Sequence, residues 1–346
     1  MEVTRHLILR GDSREMRRVE RESVDLVVTS PPYPMIQMWD TLFSGMNSKV
    51  ARALSRGDGE RAFELMHDEL DVVWKRTCYV LREGGIACIV IGDATRKLGG
   101  AFRLYQNHSR VVSSFVACGL QPLPGIMWVK QSNKPNKFLG SGMLPPSAYP
   151  TLEHEHILLF RKGSNRTFST AADKQRRRRS AYFWEERNRW FSDLWVDIKG
   201  ERQRIGGEQM SRRSASFPIE IARRLVCMFS IQGDTVLDPF LGRGTTAVSA
   251  ACCGRNSIGI EIDGILRGVS ARRLSCSVKE CSTYSARRLE NHLEYVARRR
   301  KAGNELRYVS RKYGFPVTTS QETDIEVPVL AAVAESHEDC LEASYS

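Results

Sequence analysis

Two short stretches of the sequence, more than 200 residues apart, contain residue types whose spacing could do chemistry. The first covers residues 25–33 (DLVVTSPPY), an apolar run that ends in a serine, two prolines and a tyrosine. The prolines fix the backbone and lack an N–H, so the carbonyls of Ser30 and Pro31 become rigid acceptors beside the Ser30 hydroxyl and the Tyr33 ring. A Pro-Pro step is most often only a stiff turn. With these neighbours it forms a surface that suits a planar base bearing an exocyclic amine.

The second stretch covers residues 235–246 (TVLDPFLGRGTT), where an apolar run enters a glycine-containing turn and then a helix of small residues. Gly242 and Gly244 allow positive φ and a close approach of backbone N–H groups to a ligand. Glu261 follows Gly242 by 19 residues, where a carboxylate can accept hydrogen bonds from both hydroxyls of a ribose. A GxG pattern alone is common in turns, but strand, turn, helix, strand and carboxylate in this order predict a nucleoside-cofactor pocket. The full GxGxxG pattern is absent, which favours a cofactor without phosphates.

The elements that must position these stretches form an alternating pattern. Short apolar runs alternate with helical stretches, which is typical of a parallel sheet covered by helices. The predicted strands are residues 25–29, 86–91, 125–129, 156–160, 235–237 and 257–260. Apolar residues at helical spacing predict helices over residues 63–81 and 222–229. The sequence therefore predicts an α/β fold with a doubly wound, mostly parallel sheet.

Both stretches resemble the motifs of a known family. TSPPY at 29–33, DPFLGRGTT at 238–246 and GIEID at 259–263 are similar to motifs of the S-adenosylmethionine-dependent DNA amino-methyltransferases. The order, with the target-amine motif first, is that of the β group. The supporting segments are GD at 11–12, LREGG at 81–85, WVK at 128–130, EHILLFRKG at 155–163 and SFPIEIARRL at 216–225. The resemblance spans residues 7–275 and implies a circularly permuted, Rossmann-like methyltransferase fold with an inserted target-recognition module.

The resemblance also implies roles for individual residues. Ser30, Pro31 and Tyr33 would hold the target base, and Pro32 would fix their geometry. The implied cofactor-binding residues are Asp12, Phe217, Pro218, Asp238, Pro239, Phe240, Gly242, Gly244, Thr245 and Glu261. Within this set, Glu261 would bind the ribose of S-adenosylmethionine and Asp12 would lie near its adenine.

The spelling of the first motif bears on the reaction. In the family, SPPY usually accompanies methylation of cytosine N4, whereas DPPY or NPPY usually accompanies adenine N6. Carbonyl acceptors at Ser30 and Pro31 would rehybridise the amine for direct attack on the sulfonium methyl, with the base flipped out of duplex DNA. The favoured function is therefore a site-specific DNA (cytosine-N4) methyltransferase of a restriction-modification system. Adenine-N6 methylation, RNA methylation and a catalytically silent DNA-binding regulator with this fold are the alternatives.

Charge marks further segments of the chain. The formal net charge of +12 favours a polyanionic partner such as double-stranded DNA. Residues 161–213 hold 15 basic against 7 acidic residues, and they include three tryptophans that we expect to form the core of a small module. The predicted DNA-contacting residues are Arg176, Arg177, Arg178 and Arg179. This region is interpreted as the inserted target-recognition module.

The remaining boundaries follow from composition. Residues 1–160 are predicted to be the target-amine half of the catalytic domain and residues 214–275 its cofactor half. Residues 276–320 are predicted to be a basic helical extension that suits either DNA contact or a homodimer face. Residues 321–346 hold seven acidic and no basic residues, which predicts a disordered tail.

Cysteine and histidine patterns exclude several chemistries. The nine cysteines include no CxxC pair, so the sequence predicts no disulfide framework, no zinc site and no metal. No Pro-Cys dipeptide is present, which argues against methylation of cytosine C5. His154 and His156, which flank Glu155, are interpreted as surface residues of a strand. Because no export signal or long apolar run is visible, we expect a cytoplasmic protein, with a cognate restriction endonuclease implied by the family.

Overall fold

The apolar runs form the middle of a ten-stranded sheet in the computed structural model, which describes residues 3–130, 139–200 and 217–346. The strands are β1 (Thr4–Arg10), β2 (Val24–Thr29), β3 (Leu81–Ile91), β4 (Ala94–Leu98), β5 (Ala101–Tyr105), β6 (Leu120–Val129), β7 (Leu139–Gly140), β8 (Ala148–Tyr149), β9 (His154–Lys162), β10 (Leu194–Trp195), β11 (Thr235–Asp238), β12 (Asn256–Glu261), β13 (Tyr308–Val309), β14 (Pro316–Val317), β15 (Leu330–His337) and β16 (Cys340–Tyr345). The order across the sheet is β10-β6-β9-β3-β2-β11-β12-β1-β16-β15. The remaining strands form three antiparallel pairs, β4–β5, β7–β8 and β13–β14.

Helices cover both faces of this sheet. They are α1 (Asp40–Met46), α2 (Ser48–Ser55), α3 (Gly59–Val80), α4 (Asn107–Ala117), α5 (Ala171–Arg179), α6 (Trp184–Trp190), α7 (Ile219–Phe229), α8 (Thr245–Cys252), α9 (Gly264–Ser275) and α10 (Val278–Lys301). Residues of α3 and α4 pack in one hydrophobic cluster with the sheet, and residues of α7, α8 and α10 pack in a second. Two apolar layers on one sheet are the arrangement expected of a doubly wound α/β protein, so the predicted fold class is confirmed. In the described ranges, no helix combines the length and apolarity that crossing a bilayer requires.

The centre of the sheet is parallel and its register fixes the site. The neighbours β3, β2, β11, β12 and β1 all pair in parallel. Leu237 of β11 lies beside Val27 of β2, so both strands end at the same edge of the sheet. Strands β1 and β12 end at this edge too, because Arg10 lies beside Glu261. We call this side the carboxyl edge, where ligands of open α/β sheets bind.

All six predicted strands are present, and β1 is an additional one. Its sequence mixes polar and apolar residues, and the signal for a strand is therefore weak. The buried His6 is accommodated by hydrogen bonds of its ring nitrogens with the hydroxyls of Ser257, at 2.8 Å, and Thr4, at 3.0 Å. Burial lowers the pKa of His6 to about 3, so the ring stays neutral inside the sheet.

The prediction of a disordered acidic tail over residues 321–346 is wrong. Strands β15 and β16 form a hairpin, and β16 pairs antiparallel with β1 at the sheet edge. Leu330, Leu341 and Ala343 are buried, which supplies the apolar face that a composition count does not register. The acidic excess is offset by neighbouring cations, since the carboxylate of Asp339 pairs with Arg18 and Arg267.

The tryptophans of the basic segment do not form the core of a separate module. Trp190 and Trp195 are buried in the main hydrophobic cluster, and the Trp195 indole donates to the Trp190 carbonyl at 2.9 Å. Strand β10, which contains Trp195, extends the main sheet beside β6. Trp184 is 41% exposed. Residues 161–200 thus pack as part of the central fold.

Candidate active site

The two stretches that carry the candidate site residues, 25–33 and 235–246, meet at the carboxyl edge. The Thr29 hydroxyl donates a 2.6 Å hydrogen bond to Asp238, and the Thr246 hydroxyl donates a 3.1 Å hydrogen bond to the carbonyl of Val28. These contacts join the end of β2 to the end of β11 across a separation of more than 200 residues in the chain. The parallel register of the two strands therefore brings the acceptor-rich stretch and the glycine turn side by side.

A single cavity of about 480 Å³ opens where they meet, within the usual size range of small-molecule pockets. The predicted site residues on its wall are Asp12, Ser30, Pro31, Pro32, Phe217, Asp238, Pro239, Phe240, Gly242, Thr245 and Glu261. Tyr33, Pro218 and Gly244 are not part of the wall, but each is next in the chain to a residue that is. Met38 and Trp39, which belong to a segment with no recognisable motif, also line the cavity.

The glycine turn is held by the carboxylate of Glu261. One of its oxygens accepts the Gly242 N–H at 2.8 Å and the other accepts the Asp263 N–H at 2.9 Å. Gly242 and Gly244 adopt φ of 53° and 77°, the left-handed region that other residues enter only with strain. Burial raises the pKa of Glu261 above its ordinary value. A carboxylate has about four acceptor positions, so Glu261 can orient the turn and still bind a ligand's hydroxyl groups.

Asp238 is a buried carboxylate at the junction of the two halves. It accepts hydrogen bonds from the Thr29 hydroxyl and from the Phe240 N–H at 3.0 Å. Burial disfavours its charged form and raises its pKa to about 6, despite these donors. The site therefore holds an anion at the free-energy cost of desolvating it.

Replacing Asp238 by asparagine should stabilise the unliganded protein. A folded-state pKa above the unfolded value gives stability that is fully present below pH 4 and is lost as the pH rises through 6. We expect Asp238→Asn to remove this loss and raise the unfolding free energy by roughly 3 kcal/mol at pH 7.5, with little change near pH 4. Urea unfolding at the two pH values measures this difference. The exposed Glu335→Gln is the matched control, and equal effects of Asp238→Asn at both pH values would contradict the assignment.

The target-amine half has a polar chain behind it. The Ser30 hydroxyl donates to the Tyr33 hydroxyl at 3.1 Å, which in turn donates to Glu155 at 2.9 Å. The other oxygen of Glu155 pairs with the ammonium of Lys130. Burial, together with the nearby charge of Glu155, raises the pKa of Tyr33 well above its ordinary value, so the phenol stays neutral. With its proton directed at Tyr33, the Ser30 oxygen keeps its lone pairs for a ligand on the cavity side.

Glu155 and Lys130 were not among the predicted site residues. Glu155 is only 8% exposed, whereas His154 and His156, the residues interpreted as surface, are half-buried. The antiparallel pairing of β9 with β6 places Glu155 opposite Trp128 and near Lys130. Lys130 lies in the supporting segment WVK and Glu155 in EHILLFRKG, so the family resemblance is the signal in the sequence that points to these two residues.

Three polar residues near this chain have the spacing of a metal site. Asp93, His108 and His156 each offer a ligand atom, and these atoms lie within 4.8 Å of one another. The His108 Nδ1, however, is hydrogen-bonded to Asp93 at 2.8 Å, and the rings of His108 and His156 are stacked with centroids 4.1 Å apart. Nearly parallel rings direct their nitrogen lone pairs side by side rather than toward one point, so we assign no metal to this group.

The arginine run 176–179 is not brought to the cavity. It lies in α5, whose end is fixed by a 2.8 Å hydrogen bond from the Gln232 N–H to the Ser180 hydroxyl. Gln232 precedes β11, so α5 packs at the opposite edge of the sheet. Arg176 pairs with Asp173, and Arg179 pairs with Glu326. DNA contact by these arginines stays a prediction, and any such contact lies away from the cavity.

Comparisons with known proteins agree with this geometry. A family model described as DNA methylase, of the N6/N4 methyltransferase type, matches residues 24–265. The type II methyltransferase M.MthZI of Methanothermobacter thermautotrophicus is 50% identical over 325 residues, which cover 94% of this chain and 90% of the relative. M.MjaI of Methanocaldococcus jannaschii, also a type II methyltransferase, is 50% identical over 80% of this chain and 93% of its own. The crystal structure of TTHA0409 from Thermus thermophilus, complexed with S-adenosyl-L-methionine, superimposes with a TM-score of 0.59 at 31% identity over 78% of this chain and 92% of that one.

Proposed function

The chain belongs to the DNA methylase family of S-adenosylmethionine-dependent enzymes, and from this premise we propose that it methylates the N4 amine of a flipped cytosine in duplex DNA. The observation that carries the proposal is the single cavity lined by both Ser30–Pro31–Pro32 and the Asp238–Glu261 half. The type II relatives support a role in a restriction-modification system, with a cognate endonuclease as the partner activity.

The cofactor half fits S-adenosylmethionine by its chemistry. Glu261 offers a carboxylate to ribose hydroxyls, and the buried Asp238 offers a negative charge to the ammonium of the methionine part. Phe240 and Phe217 supply apolar surface on the same wall. The cofactor contributes an electrophilic methyl group on a sulfonium, so the protein has only to position the acceptor and polarise it.

The target half can position and polarise the acceptor amine without a general base of altered pKa. The carbonyls of Ser30 and Pro31 accept hydrogen bonds from the amine and turn its lone pair out of conjugation. The Ser30 oxygen adds an acceptor because its own proton is directed at Tyr33. As the amine acquires positive charge, these fixed acceptors stabilise it at no reorganisation cost. The family tendency of SPPY toward cytosine N4 supports the choice of base over adenine N6.

The experiment identifies the methylated nucleoside directly. Unmethylated genomic DNA is incubated with the protein and methyl-labelled S-adenosylmethionine, digested and separated. We expect label in N4-methylcytosine, and label confined to N6-methyladenine would contradict the choice of base. Preferential labelling of structured RNA in competition with duplex DNA would favour RNA methylation, and cofactor binding without any transfer would favour the silent regulator. Single-base sequencing of the product then gives the recognition sequence.

A further inference from the structure

Two hairpins project from the carboxyl edge beside the target-amine half. The β4–β5 hairpin follows β3, and the β7–β8 hairpin lies in the segment between β6 and β9. Met143 and Leu144, at the tip of the second hairpin, are 83% and 71% exposed, more than any other large apolar residue of the described ranges. Two adjacent apolar side chains this exposed at the tip of a hairpin are available to a partner.

Contacts connect the base of this hairpin to the rim of the target half. Tyr149 at the base of β7–β8 stacks on Phe102 of β4–β5, with ring centroids 5.3 Å apart and planes 3° from parallel. The β4–β5 hairpin is in turn fixed to the cavity rim, because Arg96 forms a two-point ion pair with Asp40 at 2.6 and 2.7 Å. Asp40 directly follows the cavity-lining Trp39.

The root of the same segment touches the polar chain. The Lys130 N–H donates to the Glu153 carbonyl at 2.8 Å, and the Lys130 side chain pairs with Glu155, the partner of Tyr33. The hairpin is therefore held at its root by the target-amine half and at its flank by the rim. We therefore expect a base that enters the cavity to leave its helix on the side of the molecule that carries this hairpin.

The charge of the two segments fits a phosphate backbone. Residues 94–105 and 130–152 together contain six lysines and arginines and no acidic residue. Of these cations in the described ranges, Arg96, Arg103 and Lys130 are paired with the carboxylates of Asp40, Glu60 and Glu155, while Lys97 is exposed and lies opposite Phe102 in the hairpin. Apolar residues flanked by cations are the combination that binds nucleic acid by wedging, since the cations hold the backbone while an apolar side chain enters a base step.

We propose that Met143 and Leu144 insert into the base stack of duplex DNA and fill the space that the target base vacates. This inference rests on the proposed function and goes beyond it, because it assigns the opening of the duplex to residues outside the cavity. Flipping a base costs a few kcal/mol of unpairing and unstacking. Burial of two apolar side chains against the exposed bases offsets part of that cost. When the target base is already unpaired, the cost is smaller and this contribution to the reaction rate is no longer required.

The dependence on base pairing can be tested with matched and mismatched DNA. The double variant Met143→Ser/Leu144→Ser is compared with wild type on a duplex that contains the recognition sequence and on the same duplex with a mismatch opposite the target base. We expect the variant to lose about tenfold or more in kcat/KM on the matched duplex and to regain most of it on the mismatched one. Its affinity for S-adenosylmethionine should equal that of wild type.

Two controls isolate the effect. Val116→Ser, at an exposed apolar residue of α4, should leave kcat/KM on both duplexes unchanged. Lys97→Ala should weaken binding to both duplexes alike and reduce the slope of log affinity against log salt by about 1, because one phosphate contact is lost. A double variant with wild-type rates on the matched duplex, or with equal losses on both duplexes, would overturn the inference. A wild-type protein that methylates neither duplex would overturn the proposed function, and this inference with it.

Discussion

Tyr33→Ala should lower kcat by about two orders of magnitude while the affinity for S-adenosylmethionine stays within about threefold of wild type. In the proposed mechanism the ring, which follows the cavity-lining Pro32, stacks on the flipped base, and such stacking is worth ~1–3 kcal/mol per base. Its hydroxyl links Ser30 to Glu155, so truncation also frees the Ser30 hydroxyl to turn its proton into the cavity. Loss of orientation at the reacting atom adds to the loss of stacking. Single-turnover methylation and calorimetry of cofactor binding measure the two quantities separately.

Two milder variants separate the ring from its hydroxyl. Tyr33→Phe keeps the ring and removes the polar link, so we expect a loss of about fivefold, in line with one hydrogen bond of ~1 kcal/mol. Glu155→Gln keeps an acceptor for the Tyr33 hydroxyl but loses its charge beside Lys130, and its effect should be no larger than that of Tyr33→Phe. A Tyr33→Ala protein with wild-type kcat would show that the tyrosine only fills space.

The sequence predicts those parts of the site that are contiguous in the chain. Residues 29–33 and 238–246 each follow a short apolar strand, and parallel strands end at one edge of a sheet. Because β2 and β11 are neighbours and Leu237 lies beside Val27, both stretches reach the same cavity. The chemistry of proline, glycine and carboxylate residues is local, so it follows from the sequence alone.

The parts that the sequence does not reveal depend on distant pairing. Glu155 reaches Tyr33 only because β9 runs antiparallel between β3 and β6 and turns this carboxylate inward. The acidic tail is ordered because β16 pairs with the edge of β1 and buries Leu341 and Ala343. The composition of the tail does not reveal this pairing. Charge alone predicts that the arginine run contacts DNA, but charge does not indicate which edge of the sheet a helix occupies.

In the cofactor half, Glu261→Ala should reduce the affinity for S-adenosylmethionine by about a hundredfold or more. The carboxylate would bind two ribose hydroxyls, and each hydrogen bond to a charged group contributes about 1.5–3 kcal/mol. Removing it also releases the N–H groups of Gly242 and Asp263, which loosens the turn that forms the cavity wall. Glu261→Gln should lose nearly as much, because its amide would direct a donor at one of these two donors.

The same carboxylate should make cofactor binding depend on pH. Burial raises the pKa of Glu261, so affinity should fall on the acid side at a pH above the ordinary range of a glutamate. Calorimetric titration of wild type from pH 7.5 downward should show this fall. The weak residual binding of Glu261→Ala should fall less steeply, because only Asp238, with a pKa of about 6, then loses its charge over this range. Glu335→Ala, at an exposed position of β15, is the control and should retain wild-type affinity at every pH. Binding by Glu261→Ala as tight as wild type, with the same pH dependence, would mean that the ribose is held elsewhere in the cavity, and the assignment of the nucleoside to the end of β12 would then be wrong.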